Sequence, residues 1–184
     1  MLKIALSQIF DCHPDGEAHA LMAQYPNMVK WWAGHTAEFT EGSFSKFRNQ
    51  FYEAWKREWK GYNSQHAQTS SLVAYSALQL SKGNAEKLKS LELKWNFAVI
   101  SPRIVKIEDC ELVFPTKLSR HAHVKLIPEN PRQQTLLEQA TNKHWQIGQS
   151  IVTPEWCDVP FTRYLDLTLE KDHVIKELLS ASSR

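Results

Sequence analysis

The pattern with the most chemical content is a row of cations between positions 46 and 60. A helix turns about 100° per residue, which places Lys46, Lys56, Arg57 and Lys60 within about one third of its circumference. Phe44, Phe47, Phe51, Trp55, Trp59 and Tyr62 fall on the opposite side. Four fixed positive charges spread over roughly 20 Å of helix suit a phosphate backbone, which asks only for charge and reach. A solvated face is also what any surface helix carries, and Glu53 dilutes this one through i,i+3 and i,i+4 pairs. Aromatic rings can stack on bases, but six on one face read as core, each adding roughly 1.5–3 kcal/mol on burial before entropy.

A second basic cluster, Lys117, Arg120, His121, His123 and Lys125, falls where residues alternate as in a strand. His121 and His123 share a face there and could meet a metal. No third ligand has matching spacing, and His13 beside Cys12 is no better, so polar strand positions are the simpler reading. Cys12, Cys110 and Cys157 form neither a CxxC pair nor a disulfide framework, which points to a reducing, cytoplasmic setting. There is no Gly-rich phosphate loop, GxSxG or HExxH. Asp166, between Leu165 and Leu167, reads as an outward strand residue. No catalytic residue, metal site or cofactor is expected.

The elements that must hold these groups follow from composition and period. The 184 residues, 42% hydrophobic and 23% charged, suit one folded domain with at most a smaller insertion. No apolar run reaches the roughly 18 residues of a membrane span. Positions 41–100 hold nine Lys/Arg against five acids, a net of +4, whereas 1–40 carry −2 and 101–184 carry 0. The pattern predicts a strand over 2–10 and a helix over 17–33 that Pro26 breaks or kinks at Tyr25. A long helix follows over 43–62, then a third over 70–80 capped by Thr69 or Ser70. The period then falls to two. Strands are expected over 91–97, over a hairpin of 104–107 and 110–114, and over 121–127, 145–153 and 161–169. Asn130-Pro131 starts a short helix, and 171–179 reads as a last one. Helices in a run followed by strands in a run mean α+β. Short strands in this number close into a small barrel or sandwich, which the first strand can rejoin.

This layout resembles a known family. The first strand, the aromatic helix pair and the segment Thr-Ser-Ser-Leu-Val-Ala-Tyr-Ser-Ala-Leu at 69–78 come in order. They are followed by Lys-Leu-Lys-Ser-Leu-Glu-Leu at 87–93, the hairpin at 105–114, Val-Lys-Leu-Ile-Pro at 124–128, the helix at 133–139, Trp-Gln-Ile-Gly at 145–148 and Phe161-Thr162. Together they resemble the N-terminal half of TnpB-type transposon proteins, relatives of type V CRISPR effectors. The resemblance implies an oligonucleotide-binding-like wedge barrel with a helical recognition domain inserted after its first strand. It implies a grip on guide RNA, RNA–DNA hybrid and neighbouring duplex, by backbone and shape. The family cuts DNA with a RuvC-type domain and zinc ribbon that follow the wedge, and no residue here matches them.

The expected fold is therefore α+β, a small oligonucleotide-binding-like β-barrel with a three-helix insertion after the first strand. Residues 1–12 form the first strand, 13–89 the helical recognition subdomain, 90–170 the rest of the barrel and 171–184 a C-terminal helix or tail. The expected function is binding of RNA or DNA, non-catalytic by itself, with a separate nuclease chain as a further partner and no membrane. The expected phosphate contacts are Lys46, Lys56, Arg57, Lys60, Lys82, Lys87, Lys89, Arg103, Lys117, Arg120 and Lys125. The alternative is a protein–protein or inhibitor module, whose mark would be an exposed aromatic patch at Trp31, Trp32 or Trp156.

Overall fold

A computed structural model describes residues 2–38, 43–81 and 96–165. Strand β1, Leu2–Pro14, is the spine of the molecule. Its residues from Leu2 to Asp11 pair antiparallel with β8, Trp156–Leu165, and its last four pair with β5, Arg120–Ile127. A strand that changes partner along its length bends the sheet around itself. The strand order is β2-β7-β8-β1-β5-β4-β3, where β2 is Ala98–Ile100, β3 Lys106–Glu108, β4 Glu111–Lys117 and β7 Ser150–Val152. Strand β6, Gln146–Ile147, also pairs with β8. The result is a curled antiparallel sheet, an OB-like half-barrel, with helices inserted after its first strand. The expected α+β class and the place of the insertion are both present.

The expected hairpin forms between β3 and β4, turning at Asp109 and Cys110, both with positive φ (48° and 63°). The expected strand over 145–153 is two strands. Gly148 separates them, and a Cβ there would lie 2.8 Å from the Cβ of Pro160, so this crossing of β8 needs glycine. Most of the strand expected over 91–97, the tail helix and Asp166 lie outside the described residues.

Helix α1, Gly16–His35, is capped by Asp15, whose carboxylate accepts from the Ala18 amide at 2.7 Å. It runs as one helix through Pro26, so the break expected there as one of two outcomes is absent. A mid-helix proline costs about 3 kcal/mol, and the apolar face of Leu21, Met22, Tyr25, Met28, Val29 and Trp32, all buried, outweighs that. Its first residues pack against β5 and β4. After a short 3-10 turn, Thr36–Glu38, comes α2, Phe44–Glu58. It ends four residues short of the expected Tyr62, because Gly61 takes a left-handed φ of 92°.

Helix α3, Ser64–Leu80, begins six residues earlier than expected. Its cap is Asn63, whose side chain accepts from the Gln65 amide at 2.9 Å. The polar start hid the helix from the hydrophobic period. Ser70 and Ser71 instead turn their hydroxyls back onto the His66 and Gln68 carbonyls, which lets a small-residue face approach α1. Trp32 Nε1 donates to Ser70 Oγ at 3.1 Å. Helix α4, Pro131–Thr141, is capped by Asn130, as its sequence requires. Gln133 Nε2 of α4 donates to the Ile9 carbonyl of β1 at 3.0 Å.

Two contacts weld the helices to the sheet. The turn between α2 and α3 docks on the end of β4, through Asn63 N to Thr116 O at 3.1 Å and Leu118 N to Gly61 O at 3.0 Å. Beside it, fully buried His66 places Nε2 3.0 Å from the Pro115 carbonyl.

Candidate nucleic-acid interface

Lys46, Lys56 and Arg57 stand exposed on α2, and Lys60 in the turn that follows. Phe47, Phe51 and Trp55 are buried on the opposite side, so the two-faced helix read from the sequence is present. Lys56 makes a surface pair with Glu53 at 3.3 Å, one that solvent leaves worth at most about 1 kcal/mol. Lys46, Arg57 and Lys60 have no ion-pair partner among the described residues.

The second cluster lies on β4 and β5. His121, His123 and Lys125 alternate outward while Ala122, Val124 and Leu126 point into the core. Arg120 is held by Glu17 in the first turn of α1, Nη1 to Oε1 at 2.9 Å. Lys117 Nζ sits 4.6 Å from the centroid of the Tyr62 ring. His123 Nδ1 lies 3.0 Å from a Glu111 oxygen, and Lys125 stands directly across from Glu111. Among the described residues no group of three or more His, Cys, Asp and Glu could hold a metal ion. Burial pushes the Cys12 thiol up to about 11, with help from Asp11, and raises Cys157 further for the same main reason. Neither thiol is a ready nucleophile or ligand.

Arg103 lies elsewhere, on the loop between β2 and β3. It rims a cleft of about 290 Å³ whose other walls are Arg48, Asn49 and Tyr52 of α2 and Ser64, Gln65 and Gln68 of α3. Of these the sequence singled out only Arg103. Arg48 and Tyr52 sit one turn apart on the border between the aromatic and cationic faces, a position that reads as either. Gln65 and Gln68 fell before the expected start of α3. Lys82, Lys87 and Lys89 lie outside the described residues.

Trp32 is fully buried, and Trp31 is partly buried against it. Trp156 is 36% exposed. Strand alternation puts it on the same outer face as Ile9, 62% exposed, and Tyr164. No described helix is long and apolar enough to cross a membrane. A search of protein-family models and of curated proteins finds no match to this chain.

Proposed function

We propose that this chain is a nucleic-acid-binding module that grips structured RNA or an RNA–DNA hybrid and does not cut it. On this reading it is the recognition and wedge part of a TnpB-like, RNA-guided nuclease system, and a separate chain supplies the cutting. The observation that carries the reading is the junction itself: an OB-like curled sheet whose first strand is followed by a helical insertion. That insertion presents a row of cations with few internal partners. Oligonucleotide-binding sheets use such a concave frame to follow a strand by charge and stacking.

The test is binding of a structured RNA, a 20-bp RNA–DNA hybrid and a duplex DNA of the same sequence, each titrated between 50 and 200 mM salt. Four phosphate contacts give a slope of about −3 on a single strand and about −3.6 on a duplex in log affinity against log salt, a loss of about 50- to 150-fold over that range. The same affinity for all three without salt dependence would overturn the reading. A second reading, a protein-docking module, draws on the outer face of Ile9, Trp156 and Tyr164. Substitution of Trp156 by Ser that abolishes RNA binding less than it abolishes capture of a defined protein partner would favour it.

A further inference from the structure

The cleft between α2 and α3 differs in chemistry from the lysine row beside it. Its lining holds two guanidiniums, Arg48 and Arg103, and not one carboxylate. Surface arginines ordinarily settle on acids. Here Arg48 reaches only the Asn49 side-chain oxygen, at 3.0 Å through Nη2, and the Arg103 guanidinium has no partner among the described residues. The cleft is also held in shape. Buried Ser101 donates to Gln65 Oε1 at 3.0 Å and accepts from the Arg103 amide at 3.3 Å, which ties the β2–β3 loop to α3. With Oε1 engaged, Gln65 presents its Nε2 donors. Gln68 lies one turn along the same helix face and lines the cleft too.

These groups have a shared preference. Paired guanidiniums recognise phosphate in a planar, bidentate manner that lysines do not reproduce. Glutamine amides match the donor and acceptor pattern on the edge of adenine. Tyr52 supplies an apolar wall, and Lys56 Nζ lies 5.5 Å from its ring centroid, so the cleft opens directly onto the lysine row. At about 290 Å³ the space sits at the small end of ligand sites, enough for one nucleotide and not a longer piece.

We propose that this cleft takes a single nucleotide unit of the bound strand, its phosphate on Arg48 and Arg103 and its base edge on the Gln68 amide, with Gln65 Nε2 as a further donor. The lysine row then follows the backbone on either side. This inference rests on the reading of the chain as a nucleic-acid binder. It adds a point of base selection to an interface that otherwise reads only charge.

The experiment compares inorganic phosphate, adenosine and AMP by calorimetry on the full chain, and then on R48Q/R103Q and on Q68L. AMP is expected to bind at least ~10-fold more tightly than adenosine, which lacks the charge-assisted hydrogen bonds to the arginines, and than phosphate, which lacks the amide bonds to the base. R48Q/R103Q should lose at least ~10-fold in AMP affinity with an unchanged melting temperature, because both side chains sit at the surface of the cleft. Q68L should keep phosphate binding and lose the preference for AMP. AMP bound no better than phosphate, or R48Q/R103Q binding AMP as the unaltered chain does, overturns the proposal. Failure of the cleft and failure of the wider reading are separable. Strand binding that survives R48Q/R103Q but fails when Lys46, Lys56, Arg57 and Lys60 become Gln removes the cleft alone. Arginine-dependent AMP binding with no affinity for any strand keeps the cleft and removes the strand-binding function.

Discussion

The basic clusters on α2 and on β4–β5 look alike in sequence and differ in space. On α2 the cations stand on one side of a helix whose other side is anchored by Phe47, Phe51 and Trp55, and of the four cations only Lys56 has an ion-pair partner among the described residues. On the sheet, Glu17 arrives from 103 residues away to hold Arg120, Glu111 faces His123 and Lys125, and Tyr62 takes Lys117. A run of positive residues is therefore not a positive surface. Whether a charge is available to a ligand depends on what a distant element lays beside it, and the first turn of α1 lies beside β5.

The largest effect is expected at the joint that holds the two regions together. His66 is buried, its Nε2 turned to the Pro115 carbonyl of β4, and desolvation pushes its pKa down to about 4 in spite of that hydrogen bond. The unfolded chain carries an ordinary histidine near 6.5. Between those values the unfolded state holds more protons, so stability is complete above pH 6.5 and falls as the pH drops toward 4. The loss is about 3 kcal/mol at the bottom of that window. Denaturant midpoints measured from pH 7.5 to 4 should show it, and His66→Gln should flatten the dependence. A slope unaffected by His66→Gln would place the titration elsewhere.

Next in size is the comparison itself. Replacement of Lys46, Lys56, Arg57 and Lys60 by Gln should remove about 2 from the salt slope of RNA binding, at about 0.7 for each of Lys46, Arg57 and Lys60, since Lys56 is paired with Glu53 and lies over Tyr52. The matching replacement of Lys117, Arg120 and Lys125 should remove only about 0.7, because Lys125 alone of the three is neither ion-paired nor held against a ring. Equal losses from the two sets would erase the distinction.

The smallest effect is the most specific. Glu17→Gln releases the Arg120 guanidinium and should cost under about 1 kcal/mol of stability, as exposed pairs do. Arg120 is then free to take a phosphate. RNA binding by this variant should gain about 0.7 in salt slope, and a binding isotherm identical to that of the unaltered chain would show that the β4–β5 surface does not meet the strand.

Much of this could be read without coordinates, wherever the signal was local. The aromatic period gave the two faces of α2. Asn130-Pro131 gave the start of α4, and Glu108-Asp109 marked the β3–β4 hairpin. The reading failed where a long-range contact overrode a local rule. Pro26 reads as a break or a kink in α1, but the buried face of Leu21, Met22, Tyr25, Met28, Val29 and Trp32 carries the helix through it without a break. The first six residues of α3 carry no hydrophobic period, and small hydroxyl side chains pack well only when another helix is close. Of the cleft residues, Arg103 was noticed for its charge alone. Arg48, Gln65 and Gln68 were not, since no spacing in the chain links position 48 to 65 or to 103.

The class of the fold, the order of its elements and the side of α2 that faces water are legible in the amino-acid order alone. Those properties follow from period and propensity, which act over a few residues at a time. Which cations keep an unshared charge, and which polar groups meet around the cleft, is settled in space alone. Ion pairs and clefts are made by segments that come together when the sheet curls and the helices dock, and the free energy of a charge depends on neighbours as far along the chain as Glu17 is from Arg120.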